Sequence, residues 1–179
     1  MGERRNAIIG LAMIVAFVAS GLMANAQEGP AAEGSPEIDY PAFAMMTEDV
    51  MAYREGRLVS LADFNEMKAE EDAIILDTRS EAAYVMGHIS GAVHLNFSDF
   101  TDEKLAEVIP SKDTRILIYC NNNFEDDVAP VVLKRAPLAL NIPTFINLYG
   151  YGYENIYELG ELVSTNDEAV NWVTSLQTP

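Results

Sequence analysis

The run Ile116-Leu117-Ile118-Tyr119 is apolar without a break and ends on Cys120, the single cysteine of the 179-residue chain. A strand with no polar alternate has no face left for water, so it has to be covered on both sides. Ala73-Ile74-Ile75-Leu76 has the same character. Shorter runs at Leu58-Val59, Ala92 to Leu95 and Ile156 to Leu159 complete a set of strand candidates separated by stretches of helical period. Strand and helix in turn predict an α/β domain with a mostly parallel sheet and helices on both faces.

The helical stretches carry their own start signals. Ser60 stands at capping-box spacing from Asp63, ahead of a stripe formed by Leu61, Phe64 and Met67. Ser80 caps the next helix, and Thr101 caps another whose Leu105, Val108 and Ile109 recur at i, i+3, i+4. At the N-terminal side the spacing predicts a helix from Thr47, with Glu48 and Asp49 in its first turn, Val50 and Tyr53 on one face, and Phe43, Met45 and Met46 packed beside it. At the other end Thr165 and Glu168 predict a closing helix carrying Val170, Val173 and Leu176. Between Phe124 and Tyr153, Pro130, Pro137 and Pro143 interrupt any long helix, so short broken helices are expected. The last of these, around Thr144 to Leu148, is expected to end at Gly150 or Gly152, with Tyr149, Tyr151 and Tyr153 packed over the sheet edge.

Glu3-Arg4-Arg5, the apolar run from Ala7 to Val18 and the Ala24-Asn25-Ala26 end form a charged start, an apolar middle and a small-residue cleavage site. Residues 1–26 therefore read as a cleaved signal peptide, and the expected location is periplasmic or secreted. An uncleaved anchor is the alternative, but Gly10, Ser20 and Gly21 leave the stretch short of the about 20 strongly apolar residues a span needs. Gln27 to Glu37 reads as a tether, residues 27–46 as a linker, and 47–177 as the domain. Lys and Arg number 11 against 28 Asp and Glu, a net charge of -17. Such a surface repels a phosphate backbone and an anionic membrane, so neither nucleic acid nor membrane is an expected partner.

A lone cysteine excludes an intramolecular disulfide and leaves two choices, a buried apolar thiol or a reactive one. In an open parallel sheet ligands bind beyond the carboxyl ends of the strands, and Cys120 is expected there. The backbone amides of the following turn would then favour its thiolate.

Asp77-Thr78-Arg79, then Tyr84, then Gly87-His88-Ile89-Ser90-Gly91-Ala92-Val93-His94-Leu95 resemble the D-x-R and G-H-I-x-G-A motifs of the rhodanese family. Ile118-Tyr119-Cys120 resembles the family's active-site strand and nucleophile, Gly152 to Gly160 the segment leading to the last strand, and Trp172 the aromatic residue of the closing helix. The resemblance covers about Tyr53 to Leu176. It implies a rhodanese-like five-stranded domain and sulfur transfer through a persulfide on Cys120, with no cofactor. Asp77 and Arg79 would form a structural ion pair and His88 would pack a loop, with no metal expected.

The loop after the cysteine departs from that pattern. It reads Asn121-Asn122-Asn123-Phe124-Glu125-Asp126-Asp127, without the Gly and the Arg or Lys usual in the family. Asn121, Asn122, Asn123, Phe124 and Glu125 are the candidate substrate-binding residues, the Asn side chains acting either as neutral donors or as a plain turn. Cysteine phosphatases of related fold need C-x-x-x-x-x-R, and Asp126 stands at the arginine position, which excludes phosphatase chemistry. If the carboxylates lie near the sulfur they oppose an anionic donor such as thiosulfate; otherwise they serve as first-turn residues of a following helix. The expected activity is that of a sulfurtransferase taking sulfur from a small sulfane donor and yielding it to a thiol acceptor. The alternatives are a non-catalytic interaction module with a protein partner, and a redox-responsive thiol.

Overall fold

The computed structural model describes residues 36–176. The signal peptide and most of the tether expected from the sequence lie outside them. The chain divides into two units, 1–38 and 39–179. The described part of the first, Pro36 to Ile38, has no regular structure.

The second unit begins with α1, Tyr40–Glu55, where the sequence spacing predicted a start at Thr47. The Asp39 side chain caps it by accepting from the Ala42 amide at 2.8 Å, and Pro41 sits in the first turn, where its missing donor costs nothing. Thr47 is interior to this helix and its hydroxyl donates to the Phe43 carbonyl. Phe43, Met45 and Met46 are thus part of the helix; Met46 packs on the core while Phe43 and Met45 are exposed.

There follow β1 (Leu58–Val59), α2 (Leu61–Lys68), β2 (Ala73–Asp77), α3 (Glu81–Met86), β3 (His88–Ile89), β4 (Ala92–His94), α4 (Asp102–Val108), β5 (Arg115–Tyr119), α5 (Asn141–Gly150), β6 (Ile156–Leu159) and β7 (Trp172–Val173). Ser60, Ser80 and Thr101 cap α2, α3 and α4 as their sequence positions predict. Helix α5 ends at Gly150, and Pro143 lies in its first turn, where proline is tolerated.

The main sheet has five parallel strands in the order β1-β6-β5-β2-β4. β5 occupies the centre and pairs with β2 on one side and β6 on the other. Because side chains alternate across a strand, Ile116 and Ile118 face one layer while Leu117 and Tyr119 face the other. The first layer packs them against Val50 of α1, Leu105 of α4 and Phe145 of α5; the second packs against Phe64 of α2, Ile89 and Phe124. Burying a ring such as that of Phe64, 0% exposed, contributes roughly 1.5–3 kcal/mol. Tyr153 is buried in the first layer, with Tyr149 and Tyr151 packed on it.

The closing helix does not form. Glu168–Val170 makes a single tight turn, and Asn171 takes a left-handed conformation at φ 54° that ends it. Trp172 and Val173 then pair antiparallel with Ile89 and His88. Trp172 therefore sits on β7 rather than on a helix, and it presses on Gly87 so closely that an added Cβ would lie 2.4 Å from its indole nitrogen.

Candidate functional site

β5 delivers Cys120 to the carboxyl end of the sheet's central strand, the position its sequence predicts. The residue lines a cleft of about 740 Å³ bounded by α1, α5, β1 and the end of β6. It is itself only 2% exposed, so the cleft is the side from which a reactant could approach it. Burial pushes the thiol above its ordinary pKa. The backbone amides of Asn141, Asn122 and Leu140 oppose the rise, and the Glu158 carboxylate adds to it. The depressed thiolate expected from strand-end position alone is corrected here: desolvation outweighs the amides.

Asn141 is the first residue of α5 and Leu140 the residue before it, at a helix the proline-rich stretch made hard to place. Asn141 also anchors a buried polar chain. Its Nδ2 donates to Asn123 Oδ1 and to Glu158 Oε1, both at 3.1 Å. Asn123 Oδ1 in turn accepts from the Cys120 amide at 2.8 Å, while Asn123 Nδ2 donates to the Leu159 carbonyl. Glu158 completes the chain by receiving Arg54 of α1 at two points. Asn141 Oδ1 remains buried with no partner among the described residues.

Of the predicted loop residues, Asn122 and Asn123 line the cleft with Cys120, and Asn121, Phe124 and Glu125 do not. The Asn side chains do not offer donors to the sulfur. Asn121 Nδ2 is committed to the Val132 carbonyl, and Asn122 exchanges hydrogen bonds with the backbone of Lys134 in both directions. These asparagines fasten the 132–134 segment, and the left-handed backbone of the loop falls on Asp127 at φ 47° instead. Phe124 is fully buried, edge-on to Trp172 and Tyr119, which removes it from any substrate. Glu125 is exposed, and its amide donates to the Val163 carbonyl.

Asp126 and Asp127 are also turned to structural work, and no helix follows them. Asp126 accepts from the Thr165 amide, the hydroxyls of Ser164 and Thr165, and Asn166 Nδ2, and these bonds hold its carboxyl below the usual range. Asp127 accepts from the Leu133 amide. The carboxylate whose charge raises the thiol is Glu158 on β6, a charged residue inside an apolar strand and a signal the sequence did contain.

Asp77 and Arg79 form the expected ion pair, at 2.5 Å and nearly sealed, with 0% and 3% exposure. Arg79 also donates to the Gly87 carbonyl, and the Tyr119 hydroxyl donates to Asp77 while accepting from the Ile89 amide. Burial and the adjacent Asp77 carboxylate raise the Tyr119 phenol well above its ordinary range, so it stays a neutral donor. His88 stacks on the Tyr84 ring and bonds the Tyr84 carbonyl through Nδ1. Among the described residues no group of three His, Cys, Asp or Glu side chains is placed to hold a metal ion.

Comparison with known proteins matches residues 60–159 to the family model described as Rhodanese-like domain. The chain is 27% identical over 108 residues to the tRNA uridine(34) hydroxylase of Cytophaga hutchinsonii, covering 59% of this chain and 30% of that protein. It is 34% identical over 77 residues to the protein of the same name from Nitrobacter winogradskyi, covering 41% and 30%. The chain thus spans about a third of the length of these curated relatives. A solved structure, the BH2092 protein of Bacillus halodurans, aligns with a TM-score of 0.39 at 20% identity, over 63% of this chain and 73% of that one. With the matched stretch running from the cap of α2 to the end of β6, the chain belongs to the rhodanese-like domain family.

Proposed function

We propose that this chain is a sulfurtransferase in which Cys120 takes sulfane sulfur from a small donor, holds it as a persulfide and yields it to a thiol. The observation that carries the reading is the placement of Cys120 at the carboxyl end of the central strand, where it lines an open cleft. A persulfide is a stronger acid than its parent thiol, so amides too few to ionise the buried thiol suit the anion formed after sulfur arrives. The Cys120 sulfur attacks the outer donor sulfur, the donor's S–S bond breaks, and the released group takes the thiol proton. In the second half an acceptor thiolate attacks the outer sulfur of the persulfide and Cys120 leaves with the bonding pair.

The relatives' name places their hydroxylation on a tRNA uridine. An excess of 28 acidic over 11 basic residues argues against a polyphosphate substrate here, so the shared feature is the domain and not the RNA. The sequence of residues 1–26 supports export, which puts donor and acceptor outside the cytoplasm. The 2% exposure of Cys120 favours one competing reading, an interaction module with an inert thiol. Release of sulfur to a thiol acceptor, compared between the natural chain and Cys120→Ser, separates the two. Transfer lost in the variant supports the enzyme, and equal transfer by both removes it.

A further inference from the structure

We propose that the cleft selects an organic persulfide, R–S–S–H, whose R group is apolar and uncharged, over charged donors such as thiosulfate; this rests on the sulfur-transfer reading above. Two independent features of the cleft point to that class.

The first is charge. Among the described residues lining the cleft, the cation is Arg54, and Glu158 holds it at two points. Glu55 and Glu161 stand at the same walls, so an incoming dianion meets no free positive charge and a negative field. The second is the wall itself. Val50 and Met51 of α1 face Phe145 and Ile146 of α5, and Leu58 and Leu162 complete an apolar collar. Met51 and Leu162 are 66% and 63% exposed, a surface that gains by being covered. The volume, about 740 Å³, is that of a small-molecule site.

Helix α1 makes this selectivity a property of this chain, because Tyr40–Glu55 lies outside the stretch matched to the family, 60–159. In the reaction the Cys120 sulfur bonds to the outer sulfur of R–S–S–H, the donor's S–S bond breaks, and its electron pair leaves on R–S. The Cys120 proton passes to that leaving group, so that Cys–SH and R–S–S–H become Cys–S–S–H and R–SH without any other oxidant or reductant.

Loading of Cys120 is to be followed by intact mass with benzyl persulfide, glutathione persulfide and thiosulfate at equal sulfane concentration. The benzyl donor should load at least about tenfold faster than either charged donor, the advantage of burying one aromatic side group. Met51→Glu, at an exposed helix position, should cut that advantage by about tenfold. Loading by glutathione persulfide or thiosulfate as fast as by the benzyl donor overturns the apolar selection and leaves sulfur transfer standing. Loading by none of them, in a folded chain whose Cys120 still reacts with an alkylating agent, overturns sulfur transfer and this inference with it.

Discussion

Glu158 grips Arg54 across the wall of the cleft that leads to Cys120, with Nη2 donating to Oε1 at 2.8 Å and Nε to Oε2. The pair joins a helix outside the matched family stretch to a strand inside it. It also spends the cleft's guanidinium on a carboxylate of the protein, which leaves the thiol under the influence of burial and of a nearby negative charge.

Replacing Glu158 by Gln keeps an oxygen for Asn141 and removes the charge. Since both burial and Glu158 raise the thiol pKa, the natural chain should react with neutral iodoacetamide slowly at neutral pH, and faster as the pH climbs past the ordinary thiol value of about 8.5. Glu158→Gln should move that rise to lower pH and raise turnover with thiosulfate, now facing an unpaired Arg54. An unchanged pH profile would show that Glu158 does not act on the sulfur.

Asp77→Ala strands the Arg79 guanidinium, 3% exposed, without its counter-charge. Loss of one partner of so buried a pair should cost about 3–5 kcal/mol. Denaturant unfolding should show that loss, while sulfur loading per folded molecule stays unchanged. A variant of normal stability with no loading would move Asp77 into the chemistry.

Gly87→Ala should destabilise the chain by about 1–3 kcal/mol, the range for forcing extra volume into a packed site. The backbone there is extended at φ 171°, so the glycine is required by the Trp172 indole and not by its dihedral. Trp172→Leu should recover part of the loss in the double variant, measured by unfolding. No recovery would place the strain elsewhere.

How far the sequence was readable depended on whether a signal was local. The apolar runs at 73–76 and 116–119 and the caps Ser60, Ser80 and Thr101 announce β2, β5 and the helices they open, because burial and capping act within a few residues. Trp172 misled: Val170, Val173 and Leu176 carry helical spacing, but Asn171 turns left-handed and the His88–Ile89 edge offers pairing from far away in the chain. The site divided in the same way. Cys120 was legible from its strand, whereas Arg54, Asn141 and Glu158 meet it only through tertiary packing of α1, α5 and β6. Phe124 and Glu125 stand near the sulfur in sequence, and the tight turn after Cys120 carries both out of the cleft.

The acidic loop gives a prediction opposite in sign to a through-space reading of the sequence. Glu125→Arg should leave thiosulfate turnover unchanged, because Glu125 is exposed and outside the cleft. Asp126→Arg should also fail to raise turnover, and it should lower stability by breaking the hydrogen bonds that hold residues 164–166. A salt-sensitive gain in thiosulfate turnover from either variant would put those charges near the sulfur.

The central claim is that Cys120 is a sulfur acceptor, and the mass of the intact protein after brief exposure to an organic persulfide tests it most directly. One sulfur atom should be added, located on Cys120 by fragmentation, absent from Cys120→Ser and removed by a thiol acceptor. A folded natural chain that gains no sulfur, while the same cysteine is still modified by an alkylating agent, would contradict it.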